Sequence, residues 1–495
     1  MKRPKRKKEE KGELMFFITL LKISSILLSI VGALFAIPLT VAIVYGESSV
    51  YLSFIIPMLA SFVFLLAVNI PTRKFKFNLK TKQTFLIVAI SWTIASFMGS
   101  IPLYCSGCFP SYTDAIFESV SGFSTTGSTV LSTIENCPRS INMWRCLTHW
   151  IGGMGIVTLT VALLPLLGVG GFQLIKAETT GPEKGKVTSR ITTTAKVLWG
   201  IYVAFTLTEA IALKIAGMDF VDALSHAFST LGTGGFSTRN DSIASYNSVA
   251  IDIICIVFMF LSGINFSLFY YVITKKWSDL KSNSELKAYI GIILFLILMV
   301  TLSLKPNYHN FFTQLRFGSF QVVSLMTTTG FSNADFIQWT SSAQFWLFVT
   351  YFIGGCSGST GGGIKVIRWV ILGKQINNET KRMLHPHGVF SVRLNGKPGR
   401  KDIIFSVAAF MSVYFILVFI TTWVGTLGKL DLWTAFSTAM SMVGNVGPGF
   451  GTLGPSNNFE ALPHFVKWWY CFAMLAGRLE LYTMIIFFMP HYWKR

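Results

Sequence analysis

The chain has 495 residues, of which 52% are hydrophobic and only 13% are charged, and its mean hydropathy is +0.56. This composition excludes an ordinary soluble protein and predicts a polytopic membrane protein. The 42 basic and 22 acidic residues give a net charge of +20. Nucleic-acid binding does not explain this charge, because the basic residues lie in short loops and form no folded basic domain.

The amino-terminal half of the chain begins with a basic segment, residues 1–13, and two leading transmembrane helices, residues 14–71. The first apolar run, Leu14–Tyr45, is too long for the core of a secretory signal and lacks a clear cleavage site, so we expect it to remain as a membrane helix. About 20 apolar residues are needed to cross a hydrocarbon core of about 30 Å. Further runs that approach or exceed this length are Tyr51–Ile70, Phe85–Tyr104, Val197–Leu213, Ile251–Ile273 and Ile403–Trp423.

Basic residues gather in alternate connections between the apolar runs. By the positive-inside rule these connections face the cytoplasm, which places both termini there. The other connections, which alternate with these basic ones along the chain, are poor in Lys and Arg and are expected to face outward. The basic segments are the amino terminus, Arg73–Lys82, Lys176–Lys196, Lys275–Lys287, Lys374–Lys401 and the terminal Lys494 and Arg495.

After the leading helices, one pattern recurs four times: a spanning helix, a half-length segment, a polar glycine tract and a second spanning helix. The repeats occupy residues 83–175, 190–277, 284–374 and 402–495. A small residue opens each half-length segment, and a glycine follows it at a spacing of 12: Ala115 and Gly127, Ala223 and Gly235, Gly318 and Gly330, Ala435 and Gly447.

A half-length segment of about ten residues cannot span a bilayer, so it must enter the membrane and return. Its unpaired carbonyls are tolerated only inside the protein or beside water. Four such loops around one axis would present rings of carbonyl oxygens, which can replace the water shell of a cation. The alternative is that the small residues merely permit close packing of helices.

Five stretches resemble signatures of the Trk/Ktr/HKT superfamily of potassium transporters, and of its TrkH branch most closely. They are "SGFSTTGSTVL", "GTGGFST", "MTTTGFS", "NVGPGFG" and "GGCSGSTGGGIKVIR". The resemblance covers essentially the whole chain and implies an all-α membrane protein with a single-chain pseudo-fourfold pore. It also implies a homodimer in the bacterial plasma (inner) membrane and a cytosolic, nucleotide-binding regulatory subunit of the RCK type, like TrkA. No cofactor is expected in this chain itself; K⁺ is the transported ion.

Carried over onto this sequence, the resemblance predicts a selectivity filter of four tracts. All four final positions are glycine, which implies potassium rather than sodium. An alternative register for the second tract is Gly232–Gly234. The filter residues are Thr125, Thr126, Gly127, Thr233, Gly234, Gly235, Thr328, Thr329, Gly330, Asn445, Val446 and Gly447.

A glycine-rich break, Gly354–Lys365, interrupts the apolar helix after the third tract. It is not a phosphate loop, because the ending Gly-Lys-Ser/Thr is absent. Glycines weaken a helix by up to about 1 kcal/mol each, so we expect a flexible break, and the resemblance implies an intramembrane gating loop. A static kink is the alternative. The gating residues would be Gly354, Gly355, Ser357, Gly358, Ser359, Thr360, Gly361, Gly362, Gly363 and Lys365.

Arg478 stands near the middle of the last apolar run, where a charge is costly. The resemblance places it near the base of the filter, and we expect it to act as an electrostatic barrier that limits flux. Structural pairing is the alternative.

The sequence shows neither a metal site nor a catalytic constellation, so an enzyme is not expected. Cys105, Cys108, Cys137 and Cys146 lie on the predicted outer side, where disulfides are possible. Two transport mechanisms remain open: channel-like potassium uptake driven by the membrane potential, and a symporter that couples potassium to protons or sodium through the same filter.

Overall fold

The computed structural model of the chain describes residues 3–73, 81–155, 191–395, 397–398 and 402–493. Nearly all elements in these ranges are helices, which confirms the expected all-α architecture. One two-residue antiparallel ladder pairs Arg393–Leu394 with Lys397–Pro398. Most of the predicted cytoplasmic loop Lys176–Lys196, and the terminal Lys494 and Arg495, lie outside the described residues.

The α-helices follow one another through the described chain with short connections. Their bounds are Arg3–Leu34, Ala36–Tyr45, Tyr51–Asn69, Thr81–Cys105, Tyr112–Phe123, Arg139–Gly153, Ile191–Ile215, Phe220–Gly232, Val249–Ser262, Phe266–Ile273, Trp277–Ser282, Ser284–Ser303, Phe311–Met326, Ser341–Thr350, Val366–Leu384, Asp402–Leu427, Leu432–Gly444, His464–Arg478, Tyr482–Ile485 and Pro490–Trp493.

Six spans in the described residues are long and apolar enough to cross a membrane: Leu14–Tyr45, Ser48–Asn69, Phe85–Cys105, Ala195–Ile215, Ser284–Ser303 and Ile403–Leu427. Two further candidates are bent helix pairs. Val249–Ser262 meets Phe266–Ile273 at 94°, and His464–Arg478 meets Tyr482–Phe488 at 119°. The predicted span Ile251–Ile273 is therefore broken rather than straight.

The leading helices are joined to the first repeat at its second helix, Arg139–Gly153. The Glu47 carboxylate accepts the backbone N–H groups of Arg139 and Ser140 at 2.6 and 3.1 Å. An anion is favourable at a helix amino terminus, where N–H groups lack partners within the helix. Phe35 packs on Trp144 from the same helix, with 4.5 Å between ring centroids. The two leading helices therefore brace the first repeat.

The four half-length helices all begin with a polar N-cap residue. Each cap side chain accepts a backbone N–H from the first helical turn, which satisfies one donor that the helix cannot. The pairs are Ser111 with Asp114, Asp219 with Val221, Asn310 with Phe312 and Asp431 with Thr434. The helices have 12, 13, 16 and 13 residues, too few to cross the bilayer.

Polarity is distributed opposite to that of a soluble protein. Large apolar side chains face outward, for example Leu52, Ile56 and Val63 on the second leading helix. The polar residues of the half-length helices, such as Ser119 and Ser225, are fully buried. This distribution suits a chain whose outside contacts lipid and whose centre is polar.

Candidate functional site

Every half-length helix ends in the same backbone turn. A non-glycine residue adopts the left-handed conformation, with φ between 53° and 59°, and a glycine with φ between 79° and 107° follows two positions later. The left-handed region costs an L-residue roughly 1–2 kcal/mol, so surrounding contacts must hold these residues. The pairs are Thr125 and Gly127, Thr233 and Gly235, Thr328 and Gly330, and Asn445 and Gly447.

A serine carbonyl fixes each turn. The N–H that follows the left-handed residue donates to a carbonyl five residues earlier, which is the Schellman arrangement at a helix carboxyl terminus. All four acceptors are serines, a signal at constant spacing that our sequence analysis missed. The bonds run from Thr126 to Ser121 (2.9 Å), Gly234 to Ser229 (2.9 Å), Thr329 to Ser324 (2.8 Å) and Val446 to Ser441 (3.0 Å).

The glycines of successive tracts touch the next tract in chain order. At each glycine, an added Cβ would overlap or press against a backbone oxygen of its neighbour. Because the fourth tract contacts the first, these contacts close a ring. The glycine and the oxygen that it faces are Gly127 and Gly234 O, Gly235 and Thr329 O, Gly330 and Val446 O, Gly447 and Thr126 O.

One cavity is lined by all four glycines. Its wall continues along the residues that follow them, among which Ser128, Phe236, Ser332 and Pro448 each come from a different tract. The four glycines therefore lie around one shared cavity.

The second and fourth tracts, whose sequences differ from Thr-Thr-Gly, adopt the common turn. Gly235 has the conformation of Gly127, whereas Gly232, with which the alternative register begins, is the last residue of its helix. The fourth tract is tied to the first by side chains: the amide of Asn445 donates to Thr126 Oγ1 at 3.0 Å, and the Ser128 hydroxyl donates to the Gly447 carbonyl at 2.7 Å.

In three tracts, a polar side chain nine residues before the glycine holds the chain that leaves the glycine. Glu118 accepts the Val130 N–H at 3.0 Å. His226 Nε2 hydrogen-bonds Ser237 Oγ at 2.9 Å. Gln321 donates to Ser332 Oγ and to the Ala334 carbonyl, both at 3.2 Å. These three side chains support the tracts from behind.

Glu118 also forms a fully buried ion pair with Arg145, at 2.6 Å. Arg145 donates in addition to the Ser237 carbonyl at 3.2 Å, so the pair joins the first tract to the second. Our sequence analysis missed this pair, because two charged residues 27 positions apart carry no local signal. Breaking such a buried pair by removing one partner typically costs about 3–5 kcal/mol.

The glycine-rich segment separates the helices Ser341–Thr350 and Val366–Leu384, as predicted. Its Gly362 N–H donates to Thr328 Oγ1 at 2.6 Å. A Cβ on Gly361 would lie 2.8 Å from the Thr327 carbonyl oxygen. The segment therefore contacts the third tract at the end of its half-length helix.

Glu285, which the sequence did not reveal, binds the chain at one point within this segment and at one point just after it. Its Oε1 accepts the N–H of Ser357 at 2.6 Å and that of Ile367 at 3.1 Å. Within the segment, the Lys365 ammonium donates to the Gly361 carbonyl. Glu285 lies on a different helix, Ser284–Ser303, so its carboxylate links that helix to the segment.

Arg478 is the last residue of helix His464–Arg478, at the 119° bend, rather than in the middle of a straight helix. Glu480 and Leu481, which both have positive φ, lie at this bend. The guanidinium donates to the Thr360 carbonyl at 2.7 Å and to the Gly152 and Gly153 carbonyls at 2.5 and 2.9 Å. Arg478 thus connects the glycine-rich segment to the first repeat.

All seven cysteines are free thiols in the structure, so it contains none of the disulfides considered for the outer side. Cys108 and Cys137 are neighbours. A hydrogen bond from Cys137 lowers the pKa of the Cys108 thiol to about 7, and the same bond, with burial, raises the pKa of Cys137.

Among the described residues, no group of three His, Cys, Asp or Glu side chains is placed to bind a metal ion.

The TrkH family, described as cation transport protein, matches residues 47–305 and 309–495 of the chain. The Trk system potassium uptake protein TrkH of Halomonas elongata is 42% identical over 434 residues, which cover 86% of this chain and 89% of that protein. The protein of the same name from Escherichia coli K12 is 37% identical over 496 residues, 97% of this chain and 100% of that one.

The crystal structure of the potassium transporter TrkH from Vibrio parahaemolyticus superposes with a TM-score of 0.84 at 34% sequence identity, over 97% of this chain and 100% of that one. The names of these relatives are those of transporters, which confirms the expectation that the chain is not an enzyme. The resemblance found in the sequence motifs is confirmed as well. The chain belongs to the TrkH family of cation transport proteins.

Proposed function

We propose that this protein takes up potassium across the plasma membrane through a pore on the axis of the glycine ring, and that the ion moves passively down its electrochemical gradient. The relatives named above are potassium uptake proteins. A membrane potential contributes about 2.3 kcal/mol per charge per 100 mV, which is enough to concentrate a monovalent cation without coupling to a second ion.

The closed ring of contacts between the tracts carries this proposal. In a pseudo-fourfold arrangement, the carbonyl oxygens of the tracts replace the water shell of a dehydrated K⁺. The half-length helices direct the negative ends of their dipoles toward the ion. The filter consists of the twelve residues predicted from the sequence: Thr125–Gly127, Thr233–Gly235, Thr328–Gly330 and Asn445–Gly447.

The glycine-rich segment, residues 354–365, gates the pore in this proposal. It contacts the third tract at Thr327 and Thr328. Arg478 and Glu285 hold it from two sides through backbone groups. Displacement of the segment would open a path below the filter, and the Arg478 charge would oppose cation flow while the segment is in place.

A cytosolic, nucleotide-binding regulatory subunit of the RCK type, like TrkA, would move the segment. Helix Val366–Leu384 continues directly from it and carries exposed basic residues, Lys381 and Arg382, in its last turn. This helix offers the subunit a direct mechanical connection to the gate. The protein would act as a homodimer, with both termini in the cytoplasm.

Rubidium uptake tests the proposal. Expression of the chain in a bacterial strain that lacks its own potassium uptake systems should restore growth at low potassium and Rb⁺ uptake. A chain carrying Gly330→Ala, present in the membrane at the same level, serves as the inactive control. Restoration by both chains, or by neither, contradicts the proposal.

Reversal potentials separate passive conduction from coupled transport. In proteoliposomes with a fixed potassium gradient, the reversal potential should follow potassium alone. A shift when the pH gradient or the sodium gradient changes would favour the symporter.

A further inference from the structure

The second tract has glycine where the other three have a side chain. Position by position, Gly234 corresponds to Thr126, Thr329 and Val446, since each donates its N–H to the serine carbonyl of its turn. The turn itself therefore accepts a β-branched residue at this point. Something outside the turn must exclude a side chain from the second tract.

The ring of His149 occupies the space that a side chain at Gly234 would fill. A Cβ built on Gly234 would overlap Cγ, Nδ1 and Cδ2 of the imidazole. The backbone of Gly234 is not among those with positive φ, so its conformation does not itself require glycine. The obstacle is a side chain, which distinguishes Gly234 from the four ring glycines, each of which faces a backbone oxygen.

His149 is completely buried and held by the second tract. Its Nδ1 lies 3.4 Å from the Phe236 nitrogen, which donates to it, and 3.3 Å from Ser229 Oγ. The ring stacks on Phe236 with 4.2 Å between centroids and 20° between planes. An Nδ1 that accepts the Phe236 N–H is unprotonated, which places the proton of a neutral ring on Nε2.

We propose that His149 is a positioning residue of the second filter tract: its imidazole replaces the side chain that Gly234 lacks and fixes the chain on both sides of Gly235. It acts from helix Arg139–Gly153, so the first repeat supplies a part of the filter of the second. This inference rests on the proposed function, since the filter is the part whose selectivity it sets.

Because the imidazole of His149 occupies the space beside Gly234, a change at one residue should alter the effect of a change at the other. Gly234→Thr should clash with the imidazole and lower Rb⁺ uptake. His149→Ala should remove the support of Phe236 and lower the ratio of K⁺ to Na⁺ transport. In the double variant His149→Ala/Gly234→Thr the threonine can enter the space that the imidazole has left. Its Rb⁺ uptake should be about tenfold higher than that of Gly234→Thr, a change that matches the coupling energies of contacting residues.

Two controls separate this pairing from a general loss of stability. Gly235→Ala should not be rescued by His149→Ala, because Gly235 has a φ of 79° and faces the Thr329 backbone oxygen. Gly200→Ala should behave as the unchanged protein, because no atom of a described residue beyond its own helical turn lies within 4 Å of its added Cβ. Membrane protein level is measured for every variant, and transport is expressed per molecule.

Thermal stability in detergent, with K⁺ or Na⁺ present, provides a second readout of the same pairing. The double variant should be more stable than Gly234→Thr, and K⁺ should stabilise it more than Na⁺ does. A double variant no better than Gly234→Thr in both assays, or His149→Ala with unchanged ion selectivity, overturns the inference. If the unchanged protein takes up no Rb⁺, the proposed function fails instead, while the stability coupling still tests the pairing.

Discussion

Asn445 and Thr126 connect the last tract to the first: the side-chain amide of Asn445 donates to Thr126 Oγ1 at 3.0 Å, across 319 positions of sequence. The same amide donates to the Met474 carbonyl at 2.9 Å. Asn445 thereby closes the ring and anchors it to helix His464–Arg478.

Asn445→Gly isolates the contribution of this amide, because glycine retains the left-handed backbone (φ 54°) without strain. Two hydrogen bonds are lost, each worth about 1 kcal/mol. We expect the ratio of K⁺ to Na⁺ transport to fall roughly tenfold. Ion fluxes in proteoliposomes measure this ratio.

Asn247→Gly, at another left-handed asparagine outside the ring, is the matched control and should leave the ratio unchanged. An Asn445→Gly protein of normal selectivity would show that these two hydrogen bonds stabilise the ring without setting its selectivity.

Gly330→Ala should abolish selective transport. Alanine at a φ of 81° is strained by roughly 1–2 kcal/mol, and its Cβ would overlap the Val446 carbonyl oxygen. Gly107 has a similar φ, 76°, but apart from its chain neighbours no atom of a described residue lies within 4 Å of an added Cβ. Gly107→Ala therefore carries the strain without the overlap. Rb⁺ uptake should separate the two variants, and equal activity would contradict the close approach of the tracts.

Arg478→Ala should increase ion flux per molecule, because it removes a positive charge and frees the Thr360 carbonyl from the first repeat. Arg478→Lys retains the charge, but an ammonium group lacks the planar set of donors with which the guanidinium binds three carbonyls. The flux of this variant should therefore lie between those of the unchanged protein and Arg478→Ala. The comparison uses single-channel currents or ion flux in proteoliposomes, with Lys281→Ala, at an exposed basic residue outside helix Val366–Leu384, as the control. If Arg478→Ala folds and conducts at the normal rate, Arg478 has no role in limiting flux.

Glu285→Ala should also increase flux, because the N–H groups of Ser357 and Ile367 lose the carboxylate that holds them. In Glu285→Gln the side-chain oxygen can still accept a bond, so the increase should be smaller. Flux per molecule is compared with the melting temperature in detergent. A lower melting temperature without higher flux would mean that Glu285 supports the fold alone. Asp279→Ala, at an exposed carboxylate outside helix Val366–Leu384, is the control.

The four turns were predictable because one spacing of small residue and glycine occurs four times. The same comparison could have revealed the serines at Ser121, Ser229, Ser324 and Ser441, each six positions before the glycine. Serine carries no distinct signal in a polar tract, however, and its role here is that of its backbone carbonyl, which any residue possesses. The sequence therefore predicted where the chain turns but not which bond fixes the turn.

The supporting contacts depend on tertiary structure, and the sequence did not predict them. Glu118 and Arg145, like Glu285 and the glycine-rich segment, come together only when separate helices pack. The residues with positive φ at the bend after Arg478 are Glu480 and Leu481, neither of which is a residue type that usually signals a break. Arg478 consequently lies at a helix end that looked like the middle of an apolar run.

If the four glycine tracts surround one dehydrated monovalent cation, a heavier ion of similar size should bind between them. Anomalous X-ray scattering from crystals that contain thallium, a heavy substitute for potassium, locates such an ion. We expect a peak on the ring axis between Gly127, Gly235, Gly330 and Gly447 that potassium displaces and sodium does not. A transport-competent protein whose thallium peaks all lie away from this axis would contradict this expectation.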